Sequence, residues 1–138
     1  MKKSILFLFI LGINWALAQS PSLQKVKYVK VIQKVCSNQK GVQLVLKEVL
    51  LDSRCPDGVR CIWAGEIKVV VSVYEGKKLV NEEELVISGK KDLVNEVWFK
   101  KYLPSSQKNI KSITVFPYPK EGVTIDPTAY YIKLGYNK

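Results

Sequence analysis

The fold is organised around the stretch DSRCPDGVRCIWAG, residues 52–65. It interrupts a chain that otherwise reads as one β-strand after another, and it holds both arginines of the protein and two of its three cysteines. Cys55 and Cys61 enclose a short segment containing a Pro-Asp-Gly turn. Such a turn returns the chain on itself, so the sulfurs can reach the Cα separation of about 5.5 Å that a disulfide needs. We therefore predict a disulfide between Cys55 and Cys61, closing a loop between two strands.

Two strands are predicted before this loop, at residues 26–35 and 42–51, because apolar and polar residues alternate in both. The polar segment 37–41 separates them and contains Gly41, which can adopt a positive φ. We expect these two strands to form a hairpin.

The strands predicted after the loop begin with residues 66–74, where Ile67, Val69, Val71 and Val73 share one face. The turn EGKK leads back into a further strand at residues 79–88. Two more strands follow near the end of the chain, at residues 110–116 and 130–136. Six or seven short strands without a sustained helical period predict an all-β fold. We expect one domain, residues 19–138, built as an antiparallel β-sandwich of the Ig-like or Greek-key type.

Residues 90–103 suit either a helix or a strand, because a short apolar run cannot be assigned by its period alone. Leu93, Val94, Val97 and Trp98 would share one face of a helix. We predict a loop with a short strand at residues 96–99.

Residues 1–18 have the pattern of a Sec signal peptide. Lys2 and Lys3 precede a short apolar run, and Ala16-Leu17-Ala18 matches the cleavage signal. The apolar run is shorter than the roughly 20 residues that a membrane-spanning helix requires. The residue directly after Ala18 is Gln19 and not a cysteine, which excludes the lipoprotein route. We expect an exported protein, periplasmic or extracellular, with no transmembrane segment after cleavage.

The charge is strongly basic, with 22 lysines and arginines against 12 acidic residues. Removal of the leader, which carries Lys2 and Lys3 and no acid, leaves 20 basic and 12 acidic residues and a formal charge of +8. Such a surface favours anionic partners, among them an anionic polysaccharide. The lysines are scattered at alternate strand positions, so the preferred interpretation is a solvated surface. Export argues against nucleic acid as a partner.

The chain contains no histidine. That excludes Ser-His-Asp and Cys-His catalysis and nearly all histidine-based zinc sites. The Gly-x-Ser-x-Gly, His-Glu-x-x-His and glycine-rich phosphate-loop motifs are also absent from the sequence. We therefore expect no catalytic residues, no cofactor and no metal, and hence a protein that is not an enzyme.

Cys36 is left over once Cys55 and Cys61 are paired. We expect Cys36 to be buried, because it continues the apolar strand through Val35 and free cysteine packs as a small hydrophobe. Pairing between chains, exchange into the bridge and a three-cysteine metal site are the alternatives.

The residues around the bridge suggest a braced loop. All other basic residues are lysines, so Arg54 and Arg60 indicate a demand for the planar guanidinium. The favoured interpretation is that they pair with Asp52, Asp57 or Glu66. The alternative is that they face outward to meet a carboxylate or sulfate. We expect Trp63 to cover the sulfurs and seal the end of the sandwich, with an exposed ligand platform as the alternative.

The pattern Asp-Ser-Arg-Cys-Pro-x-x-Val-x-Cys-x-Trp-Ala-Gly resembles that of a family of small, uncharacterised exported bacterial proteins. The segment VFPYP, residues 115–119, is similar to a second signature of that family. The resemblance implies a compact β-rich domain with a bridge between Cys55 and Cys61, and it implies no established activity. Cys36 is not part of the pattern.

The function expected from the sequence is that of a small exported binding or interaction module that uses the loop end of the sandwich. The partner would be a protein or an anionic polysaccharide. A protease inhibitor that presents the loop between Cys55 and Cys61 to a trypsin-like pocket is one alternative, and a purely structural, envelope-associated domain is another.

Overall fold

The protein forms two three-stranded antiparallel sheets with one α-helix, as seen in a computed structural model that describes residues 25–36, 40–89 and 93–137. The all-β sandwich predicted from the sequence is confirmed, while the predicted signal peptide lies outside the described residues. One sheet has the order β1–β6–β5 and the other the order β2–β3–β4. In chain order the elements are β1 (Lys27–Val31), β2 (Val42–Asp52), β3 (Ile67–Glu75), β4 (Lys78–Ile87), α1 (Leu93–Tyr102), β5 (Ile110–Phe116) and β6 (Tyr131–Tyr136).

The core lies between the two sheets. Strand β3 is central in its sheet, and its predicted inward face, Ile67 to Val73 at alternate positions, is fully buried. Strand β6 is central in the other sheet and buries Ile132 and Leu134. Phe99 of α1 is also fully buried and belongs to the same cluster. Two branched-aliphatic strand faces with one aromatic ring therefore form one continuous core.

The predicted hairpin between the first two strands is wrong. β1 pairs with β6, and β2 pairs with β3. Residues 32–41 separate β1 from β2, which is longer than the 2–5 residues that usually join a hairpin. One backbone bond, from the Leu46 N–H to the Ile32 carbonyl at 3.0 Å, connects the segment after β1 to β2. The tight turn predicted between β3 and β4 is confirmed.

The prediction of a loop and a short strand at residues 90–103 is also wrong, because Leu93–Tyr102 is an α-helix. Its buried side is not its most apolar side. Asn95 is buried and donates to the Val86 carbonyl at 2.7 Å, whereas Val94 and Val97 are exposed. The hydrogen bond from Asn95 and the burial of Phe99 decide which side of α1 faces the core. Apolar periodicity alone does not show this. None of the helices in the described ranges is long and apolar enough to cross a membrane.

Candidate functional site

The base of the loop at residues 52–65 continues the ladder between β2 and β3. The Ser53 N–H donates to the Glu66 carbonyl at 2.9 Å, and the Cys55 N–H donates to the Ala64 carbonyl at 2.9 Å. Gly65 allows this close approach, because it has a φ of +74° and an added Cβ would lie 1.9 Å from the Ser53 oxygen. Only glycine fits there without displacement of the backbone.

The far end of the loop is closed by the predicted disulfide. Cys55 and Cys61 are bonded, with their Cα atoms 5.9 Å apart. Inside the ring, the Val59 N–H donates to the Pro56 carbonyl at 3.2 Å, and Gly58 has a φ of +90°. This is the Pro-Asp-Gly turn expected from the sequence, with glycine at the position that requires a positive φ.

Arg54 connects the loop to the other sheet. Its Nε and Nη2 atoms donate to the two carboxylate oxygens of Asp52, at 2.8 and 2.6 Å. The guanidinium also donates to the carbonyls of Val115 and Pro117, and it lies 4.9 Å from the ring centre of Tyr118. The side chain is only 7% exposed. Arg54 therefore has the structural role that the sequence favoured, clamping Asp52 while binding the end of β5.

The carboxylate of Asp52 is held in its charged form. Burial works against that form, but the hydrogen bonds and charge of Arg54 outweigh it and keep the pKa of Asp52 below its ordinary value. The Tyr130 hydroxyl donates to the same carboxylate at 3.1 Å. Burial raises the pKa of Tyr130, and the negative charge of Asp52 raises it further. This cluster is a fixed ion pair with a hydroxyl donor.

The loop and the VFPYP segment, residues 115–119, pack against each other. Besides the bonds from Arg54, the Asp57 N–H donates to the Pro119 carbonyl at 2.9 Å, and Asp57 pairs with Lys120 in a short parallel bridge. The loop and residues 115–119 are thus in contact, although about sixty residues separate them. Neither the ion pair predicted for Asp57 nor one for Glu66 forms among the described residues.

Four of the exposed residues in the loop are Val59, Arg60, Ile62 and Trp63, which we call the loop tip. Ile62 is fully exposed, and Trp63 is 63% exposed. Arg60 makes no ion pair or hydrogen bond with any described residue and faces solvent. The prediction that Trp63 seals the end of the sandwich is wrong, because most of its side chain is exposed. Exposure of Ile62 was not expected, since a single apolar residue in a loop carries no periodic signal.

Cys36 is exposed, so the prediction of a buried position is wrong. Strand β1 ends at Val31, and the chain has left the sheet before it reaches Cys36. Its backbone is held by Gln43, whose side chain accepts from the Cys36 N–H at 3.0 Å and donates to the Cys36 carbonyl at 2.8 Å. A three-cysteine metal site does not form, because the other two sulfurs are bonded to each other.

A groove of about 540 Å³ lies beneath the loop, between β5 and the ends of β3 and β4. Its charged lining groups are Arg54, Glu96 and Lys111. Arg54 is committed to Asp52, and Glu96 binds Lys100 at 3.1 Å, so two of the three charges are already paired. Lys111 is therefore the one charged lining group without an ion pair among the described residues, and the hydroxyls of Ser88, Ser112, Thr114 and Tyr118 are the uncharged polar groups of the lining. Comparisons with family models, curated proteins and solved structures found no match for this chain.

Proposed function

We propose that this protein is an exported, non-enzymatic binding module, and that the loop tip is its surface for a protein partner. The observation that carries the proposal is the exposure of Ile62 and Trp63 beside Arg60, which has no ion pair with any described residue. Tryptophan and arginine are the residue types most enriched among the side chains that dominate binding energy at protein interfaces. Burying one large apolar side chain gains roughly 1.5–3 kcal/mol, and the tip leaves two in water.

The base of the loop supports this interpretation. The disulfide, the extended ladder and the Arg54 clamp fix the loop before any partner arrives. A preformed loop loses little conformational entropy when it binds, which favours affinity. Export is supported by the leader pattern of residues 1–18, and a disulfide persists in oxidising compartments.

Affinity capture with matched variants tests the proposal. The purified, disulfide-bonded protein is used as bait against the periplasmic and extracellular fractions of its source, in parallel with Ile62→Ala/Trp63→Ala. The control, Leu79→Ala/Val80→Ala, removes two exposed apolar side chains from β4. We expect one stoichiometric partner with the native protein and the control, and its loss with the tip variant. Capture that survives in the tip variant, or no partner in either fraction, would refute the proposal.

A second candidate function, protease inhibition, is favoured by the position of Arg60 alone. Arg60 is exposed, unpaired and inside the ring closed by Cys55 and Cys61, where a trypsin-like pocket with a buried carboxylate could receive it. Titration against a panel of trypsin-like serine proteases tests it. Inhibition at micromolar protein that disappears in Arg60→Gln would support an inhibitor. Absence of inhibition, or cleavage after Arg60 at a substrate's rate, would dismiss it.

A further inference from the structure

The outer face of the β1–β6–β5 sheet carries a second specialised surface, unrelated to the loop tip. Alternation along the three strands places Val31, Ile132 and Leu134 in the core and their neighbours outside. The outward residues include three aromatic rings and two lysines, which we call the aromatic–lysine face: Tyr28, Lys30, Phe116, Tyr131 and Lys133.

Rings and ammonium groups alternate across this face. Phe116 and Tyr131 are stacked, with ring centres 5.7 Å apart and planes 19° apart. The Lys30 Nζ lies 4.7 Å from the centre of the Tyr131 ring. The Lys133 Nζ lies 4.0 Å from the centre of the Tyr28 ring and 5.6 Å from that of Phe116. Each cation is therefore held over a ring, within the range of a cation–π interaction.

The centre of the aromatic–lysine face carries no side chain, because the residue there is Gly135. An added Cβ at Gly135 would lie 2.4 Å from the Ser112 Oγ and 3.2 Å from the Tyr28 Cε1. The Tyr28 ring therefore reaches across the glycine position, yet the residue remains 55% exposed. A side chain on Gly135 would push this ring away from the sheet.

The two lysines lack acidic neighbours on the face. Lys30 and Lys133 stand directly opposite each other in the ladder between β1 and β6, an arrangement that destabilises an antiparallel pair through like-charge repulsion. Neither takes part in an ion pair among the described residues, and the outward positions of the three strands include no Asp or Glu. An anion bound between the two ammonium groups would relieve the repulsion.

The positive surface continues around the edge of the sheet. Lys30 also lines a groove of about 560 Å³ between β1 and β2, where Lys34 and Lys40 are further lining residues and none of the described lining residues is acidic. Because Lys30 belongs to both the face and the groove, the two surfaces together offer four ammonium groups, those of Lys30, Lys34, Lys40 and Lys133. Several ammonium groups on adjoining surfaces are suited to a polymer with repeated negative charges.

We propose that the aromatic–lysine face binds an anionic polysaccharide. One face of a pyranose ring presents C–H bonds and packs on an aromatic ring while the hydroxyls stay hydrated. The carboxylate or sulfate groups of successive residues would meet Lys133, Lys30 and the lysines of the groove. Single-stranded nucleic acid has a similar combination of rings and charge. The disulfide favours polysaccharide, because it belongs to the oxidising compartments outside the cell interior.

Calorimetric titration of the disulfide-bonded protein tests this inference. The probes are a polygalacturonate oligomer, a sulfated heparin oligomer, neutral dextran and a single-stranded oligothymidylate. Polygalacturonate or heparin should bind, and dextran should not. Lys30→Gln/Lys133→Gln should weaken the binding at least tenfold. The control Lys77→Gln/Lys78→Gln, which removes the same charge from the β3–β4 turn, should change it by less than twofold.

The aromatic contribution is tested separately with Tyr28→Ala, and Tyr74→Ala in the other sheet is the control. Tyr28→Ala should weaken polysaccharide binding severalfold without loss of the folded far-ultraviolet dichroism spectrum, because Tyr28 is mostly exposed. Equal losses of affinity in Lys30→Gln/Lys133→Gln and in Lys77→Gln/Lys78→Gln would show that binding depends on net charge alone, and would overturn the proposal. So would tighter binding of oligothymidylate than of either polysaccharide, or no binding of any polyanion. The capture experiment on the loop tip uses other residues, so the two proposals fail independently.

Discussion

Arg54 lies just outside the ring closed by the disulfide and Arg60 lies inside it, and the two arginines have opposite roles. Arg54 uses four of its five N–H donors, two on the Asp52 carboxylate and two on the Val115 and Pro117 carbonyls, and its side chain is almost completely buried. Arg60 is exposed and unpaired among the described residues. The planar guanidinium accounts for the presence of arginine at position 54, since lysine cannot bind a carboxylate with two parallel bonds and two carbonyls at once. The guanidinium of Arg60 remains available to make hydrogen bonds of the same kind to a partner.

Arg54→Lys should lower the free energy of unfolding by about 2–3 kcal/mol, because it breaks the two-point bond to Asp52 and leaves the Val115 and Pro117 carbonyls without their donor. Arg60→Lys, the matched control, should change it by less than about 0.5 kcal/mol. Urea unfolding of the oxidised proteins, followed by tryptophan fluorescence, measures both. Equal stability in the two variants would show that the clamp contributes nothing beyond charge.

The hairpin of β2 and β3 is the element that carries the loop. Its ladder extends past the strand ends to Cys55 and Ala64, so the disulfide lies on a bonded base. Two glycines make this possible for different reasons. Gly58 supplies a positive φ at a turn where an added Cβ would meet nothing within 4 Å, whereas Gly65 supplies both a positive φ and room for the Ser53 carbonyl. The loop tip is consequently held away from the sheet, where it can be reached by another molecule.

Gly65→Ala should destabilise the protein more than Gly58→Ala, because both place alanine at a positive φ but only the first drives a Cβ into backbone. The conformational cost common to both is about 1–2 kcal/mol. Thermal unfolding should therefore give a lower midpoint for Gly65→Ala than for Gly58→Ala. Equal midpoints would mean that the backbone at Ser53 moves aside at no cost.

The whole molecule consists of two sheets that share a core and are also joined by a charged contact. Asp52 ends β2 in one sheet, and Arg54 binds it while bonding to Val115 of β5 in the other. Tyr130, next to β6, reaches the same carboxylate. A mostly buried ion pair of this type couples the stability of the sandwich to pH, because its carboxylate titrates differently in the folded and unfolded chain.

Acid should lower the free energy of unfolding of the native protein more than that of the Asp52→Asn variant. The folded pKa of Asp52 lies below its unfolded value, which is about 4. The stabilisation is therefore complete above the unfolded pKa and is lost as the pH falls through the folded pKa. Urea unfolding between pH 6 and pH 2 should show the native protein more stable at pH 6 and the two curves converging at the acid end. Parallel curves across this range would contradict a depressed pKa at Asp52, since the other carboxylates titrate in both proteins.

The sequence by itself determined the class of fold, most strand positions and the disulfide, and it favoured an ion pair between Arg54 or Arg60 and Asp52, Asp57 or Glu66. Alternating branched residues make one face of β3 apolar wherever the strand pairs, and the Pro-Asp-Gly turn brings Cys55 and Cys61 together without help from distant residues. These features are local, so local pattern suffices.

Only the tertiary structure decided the strand order, the helix and the surfaces open to partners. β1 pairs with β6, at the other end of the chain, and α1 turns its polar Asn95 inward to meet Val86. The exposure of Trp63 and the alignment of Tyr28 with Lys133 likewise depend on what packs next to them. Contacts between residues far apart in sequence leave no periodic signal. The sequence therefore pointed to the loop end as the candidate surface but left the outward position of Arg60 and Trp63 as the alternative, and it did not indicate the aromatic–lysine face.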